Sequence, residues 1–312
     1  VPDLTTKIAG LRLRTPVMLA SGTVGYGPEY EGLIDFASVG ALVMKTVTPE
    51  PRDGNAPPRL AETPCGMLNA IGLENVGLDR FLEEKLPEAS RLPVPLVASV
   101  AGMSPGEFET LAAAVGERDE VSAVELNISC PNVEREARPV WSDPVAVAEI
   151  VSASKRSTRS PVIVKLSPNT VRVVEVAEAA EAAGADALTV ANTMPGMRID
   201  LERMRPALGN TTGGLSGRAL LPINLALVWK VAGKVSVPVI GSGGIWSAET
   251  ALEFIAAGAA AVQVGTAVFA EPRAPEIICS GLREYLETNE LDSIGELIGA
   301  AREERTACRT IA

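Results

Sequence analysis

Cys130 stands between an apolar run and a proline, in the segment Leu126-Asn-Ile-Ser-Cys-Pro-Asn132, and is the side chain best placed for chemistry. A thiol, with a reference pKa of about 8.5, acts as a base where its surroundings support the thiolate. The chain contains no histidine. Ser-His-Asp triads, Cys-His dyads and His-ligated metals are therefore excluded, and lysine, backbone donors or exclusion of water must support a thiolate here. Cys65, in a long segment after the second apolar run, is the competing candidate base. Cys279 and Cys308 fall in a helical C-terminal stretch and read as structural. No two of the four cysteines form a C-x-x-C pair. That argues against a zinc site, so no metal is expected, and it suits a reducing, cytoplasmic compartment.

Lys45 and Lys165 each interrupt an apolar run. A buried ammonium without a partner is costly, so such lysines meet an anion: a reduced flavin, a phosphate or a carboxylate. Asn69, Asn127, Asn132 and Asn192 add amides that both donate and accept. This equipment suits a planar heterocycle edged with amide groups and has little use for a hydrocarbon. Gly241-Ser-Gly-Gly244 and Gly265-Thr266 are turns where backbone N–H groups can approach a phosphate closely. A helix beginning near Ser247 would add its N-terminal dipole. Gly22-Thr-Val-Gly-Tyr-Gly27 has the wrong glycine spacing for a dinucleotide fingerprint and lacks the acidic residue that goes with one.

Eight apolar runs must position these groups: Val17–Ala20, Ala41–Val47, Leu96–Ala101, Ala123–Ile128, Val162–Leu166, Ala187–Ala191, Pro238–Gly241 and Ala261–Gly265. Each is nearly continuously apolar, as parallel strands covered on both faces are. Amphipathic segments alternate with them. Val171–Ala183 and Ser247–Ala257 read as helices, the second with Ser247 as N-cap, and Gly184 and Gly258 follow where a C-terminal cap sits. Eight such units in 312 residues predict an α/β fold, a single (β/α)8 TIM barrel spanning 1–312. Its three long connections, Thr48–Pro95, Ser129–Pro161 and Asn192–Val237, lie at the C-terminal face of the strands, where such barrels build active sites.

Singly, a serine or threonine after a strand is a cap or a turn, a lysine an interrupted edge, a cysteine an inert core thiol. Together the polar residues ring one end of the predicted barrel, which coincidence explains less well. The whole-chain field narrows the partners further. Lys+Arg number 28 against 39 Asp+Glu, a net charge of -11, which opposes nucleic-acid binding. Hydrophobic residues at 46% with aromatics at only 4% favour an aliphatic core. The uncharged stretch Phe254–Ala270 is broken by Gly258, Gln263 and Gly265 and reads as a helix end and a strand, so no membrane span is expected. The N-terminus shows no basic region followed by an apolar one, so no signal peptide is expected.

At these residues the chain resembles the class 1 dihydroorotate dehydrogenases. Leu126–Asn132 is similar to their active-site signature. Gly66-Met-Leu-Asn-Ala-Ile-Gly-Leu-Glu-Asn75 is similar to their substrate loop. Ala191-Asn-Thr193, Gly213-Gly-Leu-Ser-Gly217, Gly241-Ser-Gly-Gly-Ile245 and Gly265-Thr266 are similar to the rest of their flavin and substrate pockets. The matches run in order from Ser21 to Thr266. The resemblance implies oxidation of dihydroorotate to orotate with FMN, in pyrimidine biosynthesis. Cys130 would take the C5 proton while C6 passes hydride to flavin N5. It implies substrate contacts from Lys45, Asn69, Ala70, Ile71, Gly72, Leu73, Asn127, Asn132, Asn192 and Thr193. It implies FMN contacts from Ser21, Lys45, Thr46, Ser99, Asn127, Lys165, Ala191, Gly217, Gly243, Gly244, Gly265 and Thr266. Lys165 would stabilise negative charge on the reduced ring.

The wording of the two glycine-bearing segments is closer to class 1B than to class 1A. Class 1B implies an NAD-linked assembly, a homodimeric core within a heterotetramer, whose second subunit carries FAD and a [2Fe–2S] cluster. Four scattered cysteines cannot supply that cluster here. Two departures stand out: Val133–Trp141 lacks the glycines of the family pattern, and Arg218 replaces its usual proline. Four other readings stay open at this point. They are a fumarate-linked class 1A homodimer, a flavoprotein acting on dihydrouracil, a phosphate-binding aldolase or isomerase with Lys165 as Schiff-base residue, and a non-catalytic binding protein.

Overall fold

The computed structural model describes residues 1–129, 134–135 and 138–302. Eight parallel strands close into a barrel: β1 (Val17–Leu19), β2 (Ala41–Val43), β3 (Leu96–Val100), β4 (Val121–Asn127), β5 (Val162–Lys165), β6 (Ala187–Val190), β7 (Val239–Ser242) and β8 (Ala259–Val264). They run round the barrel in chain order, and β8 closes on β1 through Val262↔Val17, Gln263↔Met18 and Val264↔Leu19. The predicted barrel is the observed one. The largest difference in a strand is at β2, which leaves the regular ladder after Val43, where the Lys45 N–H turns to the Gly25 carbonyl at 2.9 Å.

Helices α1 (Pro105–Gly116), α2 (Pro144–Ser157), α3 (Val173–Ala182), α4 (Leu221–Ala232), α5 (Ala248–Ala256) and α6 (Ala274–Thr288) follow β3 to β8. Their starts are written in the sequence. Ser104, Asp143 and Ser247 accept the N–H groups of Glu107, Val145 and Thr250, and Pro105, Pro144, Pro222 and Pro275 stand in first turns where a missing N–H costs nothing. Gly184 and Gly258 follow α3 and α5 at φ +102° and +116°, the left-handed conformation that ends a helix. The apolar faces of these helices and the outward residues of the strands form one large core.

The barrel interior is layered, because side chains two residues apart on a strand point the same way. At the bottom, Met18, Val43, Val97, Ile163 and Ile240 alternate with Ala41, Ala123, Ala187 and Ala261. The alanines leave room for Ile8 and Leu13, carried in by an N-terminal hairpin (Thr6–Ile8 with Leu11–Leu13) that closes this end. Two residues further along the same strands the layer changes character and becomes Ser99, Glu125, Lys165, Thr189 and Gln263, all buried.

The connections Thr48–Pro95 and Asn192–Val237, read from sequence as loops, contribute a second, four-stranded antiparallel sheet. Its order is Met194–Gly196, Gly213–Ser216, Gly66–Asn69, Leu60–Thr63. The strands are short and half-exposed, three of the four carry glycine, and none has an apolar run to betray it. An exposed ribbon, Ile199–Asp200 with Arg205–Pro206, extends from the same connection.

Leu13→Ala removes a fully buried plug residue. Urea denaturation should show a loss of roughly 2–5 kcal/mol; an unchanged midpoint would mean that the hairpin does not seal the barrel.

Candidate active site

The polar layer is a bonded unit. Glu125 Oε2 accepts from Thr189 Oγ1 at 2.9 Å and from Gln263 Nε2 at 2.7 Å. Lys165 Nζ donates to Gln263 Oε1 at 3.2 Å and stands 3.8 Å from Glu125 Oε1. The Gln263 amide therefore faces the anion with its N–H and the cation with its oxygen. Thr46 and Ser99 hydroxyls meet at 2.9 Å on the neighbouring side. Lys165 does meet an anion, as a buried lysine must, and that anion is a carboxylate of the barrel itself.

Above this floor opens a cavity of about 1260 Å³. The next inward positions of the strands line it: Lys45 after β2, Asn127 at the end of β4, Ala191 after β6 and Gly265 after β8. Asn192 Nδ2 donates to Asn127 Oδ1 at 3.3 Å, Thr193 N–H donates to Asn192 Oδ1 at 2.8 Å, and Asn169 Nδ2 reaches the Thr193 carbonyl at 3.3 Å. These bonds fix the amides as a wall. Opposite, the second sheet brings in Asn69, whose Nδ2 donates to the Gly214 carbonyl at 3.2 Å, followed by Ala70 to Leu73. Burial holds the Lys45 ammonium below the usual lysine range; the Glu74 carboxylate offsets part of this and the Arg59 guanidinium adds to it.

The other end of the cavity is shaped by glycines. Gly217, Gly243 and Gly244 have φ of +94°, +99° and +88°. A Cβ on Gly243 would run into the Asn224 amide, and one on Gly244 into the backbone of Leu221. Asn224, fully buried, donates to the Ser242 carbonyl at 2.7 Å and so pins the turn. Thr266 Oγ1 donates to Ser216 Oγ at 2.7 Å, joining the end of β8 to the second sheet. The arrangement fits a phosphate at the glycine turns and a flat polar ring over Lys165. Ser129 also lines the cavity, its buried hydroxyl without a partner among the described residues. FMN has these two parts.

Of the residues proposed from sequence, Ser21, Lys45, Thr46, Asn69, Ala70, Ile71, Gly72, Leu73, Asn127, Lys165, Ala191, Asn192, Thr193, Gly217, Gly243, Gly244, Gly265 and Thr266 all line this one cavity. Ser99 does not; it is fully buried behind Thr46. Cys130, Asn132 and Cys308 lie outside the described residues, as does part of Val133–Trp141, of which Trp141 lines the cavity. Cys65, the rival thiol, is exposed at the rim, and Cys279 is buried, its thiol pushed up by desolvation. Arg218 lines the outer part of the cavity with its guanidinium 4.9 Å from the centre of the Trp246 ring. Sequence reasoning missed Glu125, Thr189 and Gln263. Their signal is a polar residue at an inward position of VSAVELN, ALTV and AAAVQV, strands rich in apolar residues.

A family model described as dihydroorotate dehydrogenase matches residues 3–286. The dihydroorotate dehydrogenase B (NAD(+)) catalytic subunit of Geotalea uraniireducens is 50% identical over 299 residues, 96% of this chain and 98% of that protein. The protein of the same name from Geobacter sulfurreducens is 48% identical over 299 residues, with the same coverage of both chains. A crystal structure of DHODH in complex with ferulenol from Eimeria tenella matches with a TM-score of 0.81 at 24% identity, covering 97% of this chain and 89% of that one, a likeness of fold.

Gly244→Ala forces a Cβ against Leu221 in a left-handed conformation that costs about 1–2 kcal/mol by itself. Affinity of the apoprotein for FMN, read by flavin fluorescence, should fall at least about tenfold, the equivalent of 1.4 kcal/mol. Unaltered affinity would remove this turn from the phosphate site.

Proposed function

The chain belongs to the dihydroorotate dehydrogenase family, and we propose that it is the catalytic subunit of an NAD-linked, class 1B enzyme that oxidises dihydroorotate to orotate in pyrimidine biosynthesis. The observation that carries this reading is the single cavity in which a lysine floor, an asparagine wall and a glycine cradle converge. When bound, FMN supplies the acceptor for the hydride that leaves C6 of the substrate.

The chain's own residues do the rest. Gly217, Gly243, Gly244, Gly265 and Thr266 hold the phosphate; Ser21, Lys45, Thr46, Asn127, Lys165 and Ala191 hold the ring system. Ser99 acts one step behind, by holding the Thr46 hydroxyl. Asn69, Asn127, Asn132, Asn192 and Thr193 present amides and a hydroxyl to the pyrimidine, with the backbone from Ala70 to Leu73 completing its pocket. Lys45 answers the substrate carboxylate. Cys130 takes the C5 proton; the likeness of its motif supports that role, and the absence of histidine leaves no competing imidazole base. A bulky aromatic, Trp141, lines the same cavity and helps keep water from the reacting carbons.

Electrons leave through a separate electron-transfer subunit that carries FAD and a [2Fe–2S] cluster. A homodimer forms the core of the assembly, a reading supported by the apolar tip Ile199, Leu201 and Met204, all exposed in this chain. Among the described residues no helix is long and apolar enough to cross a membrane, and the proposed location is the cytoplasm.

The test is steady-state turnover of the FMN-loaded chain with a dye acceptor. Dihydroorotate should be oxidised and dihydrouracil, which lacks the carboxylate, should not. Cys130→Ala should keep FMN and lose at least about 100-fold in rate near neutral pH; full activity in that variant would reject the base. Fumarate reduction by the chain alone would place it with the fumarate-linked enzymes.

Lys45 gives a pH signature. Below its lowered pKa it is charged and attracts orotate; as pH rises through that value the charge, and with it affinity, is lost. In the ligand-free protein the sign is opposite, since the cost of burying the ammonium is present at low pH and disappears as pH rises. Spectral titrations with orotate should therefore weaken at a pH below the 10.5 of an ordinary lysine, and Lys45→Met should flatten the profile. A midpoint at or above that value would contradict the assignment.

A further inference from the structure

We propose that Glu125 is a positioning residue for the flavin: its carboxylate holds Lys165 at the cavity floor and cancels part of the lysine's charge, which lowers the reduction potential of the bound cofactor. The inference rests on the reading that FMN occupies the cavity above Lys165.

Stability alone does not call for this carboxylate. Two residues earlier on the same strands, Ala123, Ile163, Ala187 and Ala261 fill the barrel with apolar atoms. A well-packed apolar layer is often as stable as a buried ion pair, or more so. Glu125 is 0% exposed and does not itself line the cavity, while Lys165, 5% exposed, and Gln263 do. The carboxylate therefore reaches a ligand only through them. It does so by two routes: the 3.8 Å approach of Oε1 to Lys165 Nζ, and the Gln263 amide that bonds both partners. Among the described residues Oε1 has no hydrogen bond of its own, so Lys165 is its main compensation.

The electrostatic consequence has a definite sign. An uncompensated ammonium under the ring would strongly favour the extra negative charge that reduction brings. A neutral Glu125–Lys165 pair presents a dipole, whose attraction is weaker. The reduced cofactor is held less tightly and remains able to pass electrons on. Glu125 thus tunes the donor side of the reaction without touching substrate.

The experiment is an anaerobic dye-equilibration measurement of the two-electron potential of FMN on the intact chain. Glu125→Gln keeps the shape and removes the charge. It should raise the potential by about 30 mV or more, the equivalent of tenfold in the equilibrium constant. Glu125→Asp, which keeps the charge, should stay nearer wild type than Glu125→Gln does. In a Lys165→Met background the Gln substitution should shift the potential by less than a third as much, because the carboxylate has lost the group it acts through. A folded Glu125→Gln protein with the wild-type potential overturns the proposal, as does an equal shift with and without Lys165. Should Glu125→Gln fail to fold, Thr189→Val carries the test. It removes one of the two hydrogen bonds to Oε2, weakens support for the anion and should raise the potential in the same direction; an unchanged value overturns the proposal. FMN binding and reduction by dihydroorotate in the wild-type chain report separately on the reading beneath it.

Discussion

A carboxylate sealed inside a closed barrel must find its compensation in the protein, and Glu125 finds it in Lys165, Thr189 and Gln263. Four strands carry these residues: β4, β5, β6 and β8. None of them can slip by one position without turning its polar group into the outer apolar core and leaving the others unpaired. The network thereby fixes the relative height of those strands. Everything above it, from Asn127 to Gly265, inherits that register. The site is as well defined as the layer beneath it.

The chain divides the labour by height along the barrel. Apolar side chains and the hairpin plug at the bottom supply cohesion without specificity. The middle layer supplies charge in a balanced form. The top layer and the second sheet supply shape: an amide wall, glycine turns, and strands Gly66–Asn69 and Gly213–Ser216 that wall the cavity from outside. Membership in the dihydroorotate dehydrogenase family gives this arrangement its chemical meaning, and the relatives at 48–50% identity match the chain over nearly their whole length.

Much of this was legible in the residues. Parallel barrel strands are buried on both faces, so eight continuous apolar runs announced themselves, and Ser247 capped α5 where its side chain and spacing said it would. The glycine turn at 243–244 was legible as a turn, and its positive φ and close approaches to Asn224 and Leu221 do demand glycine. The second sheet was not. Strands such as GMLN and GGLS bury neither face fully, so they carry no periodicity to read. The counter-charge of Lys165 was missed for another reason. Glu125 lies 40 residues from Lys165 in sequence and faces it only after the barrel closes (165 − 125 = 40). Ser99 was expected to contact FMN from likeness, and its burial behind Thr46 is a fact of packing that no linear pattern records.

The most direct test of the account is the anaerobic visible spectrum of the purified, FMN-loaded chain before and after addition of dihydroorotate, with no partner subunit present. The account predicts that the flavin band bleaches on mixing, because the proposed reading places the cofactor, the base and the substrate pocket all on this chain. A chain that holds FMN and stays yellow with excess dihydroorotate would contradict it, leaving the barrel and its phosphate cradle but not the assigned reaction.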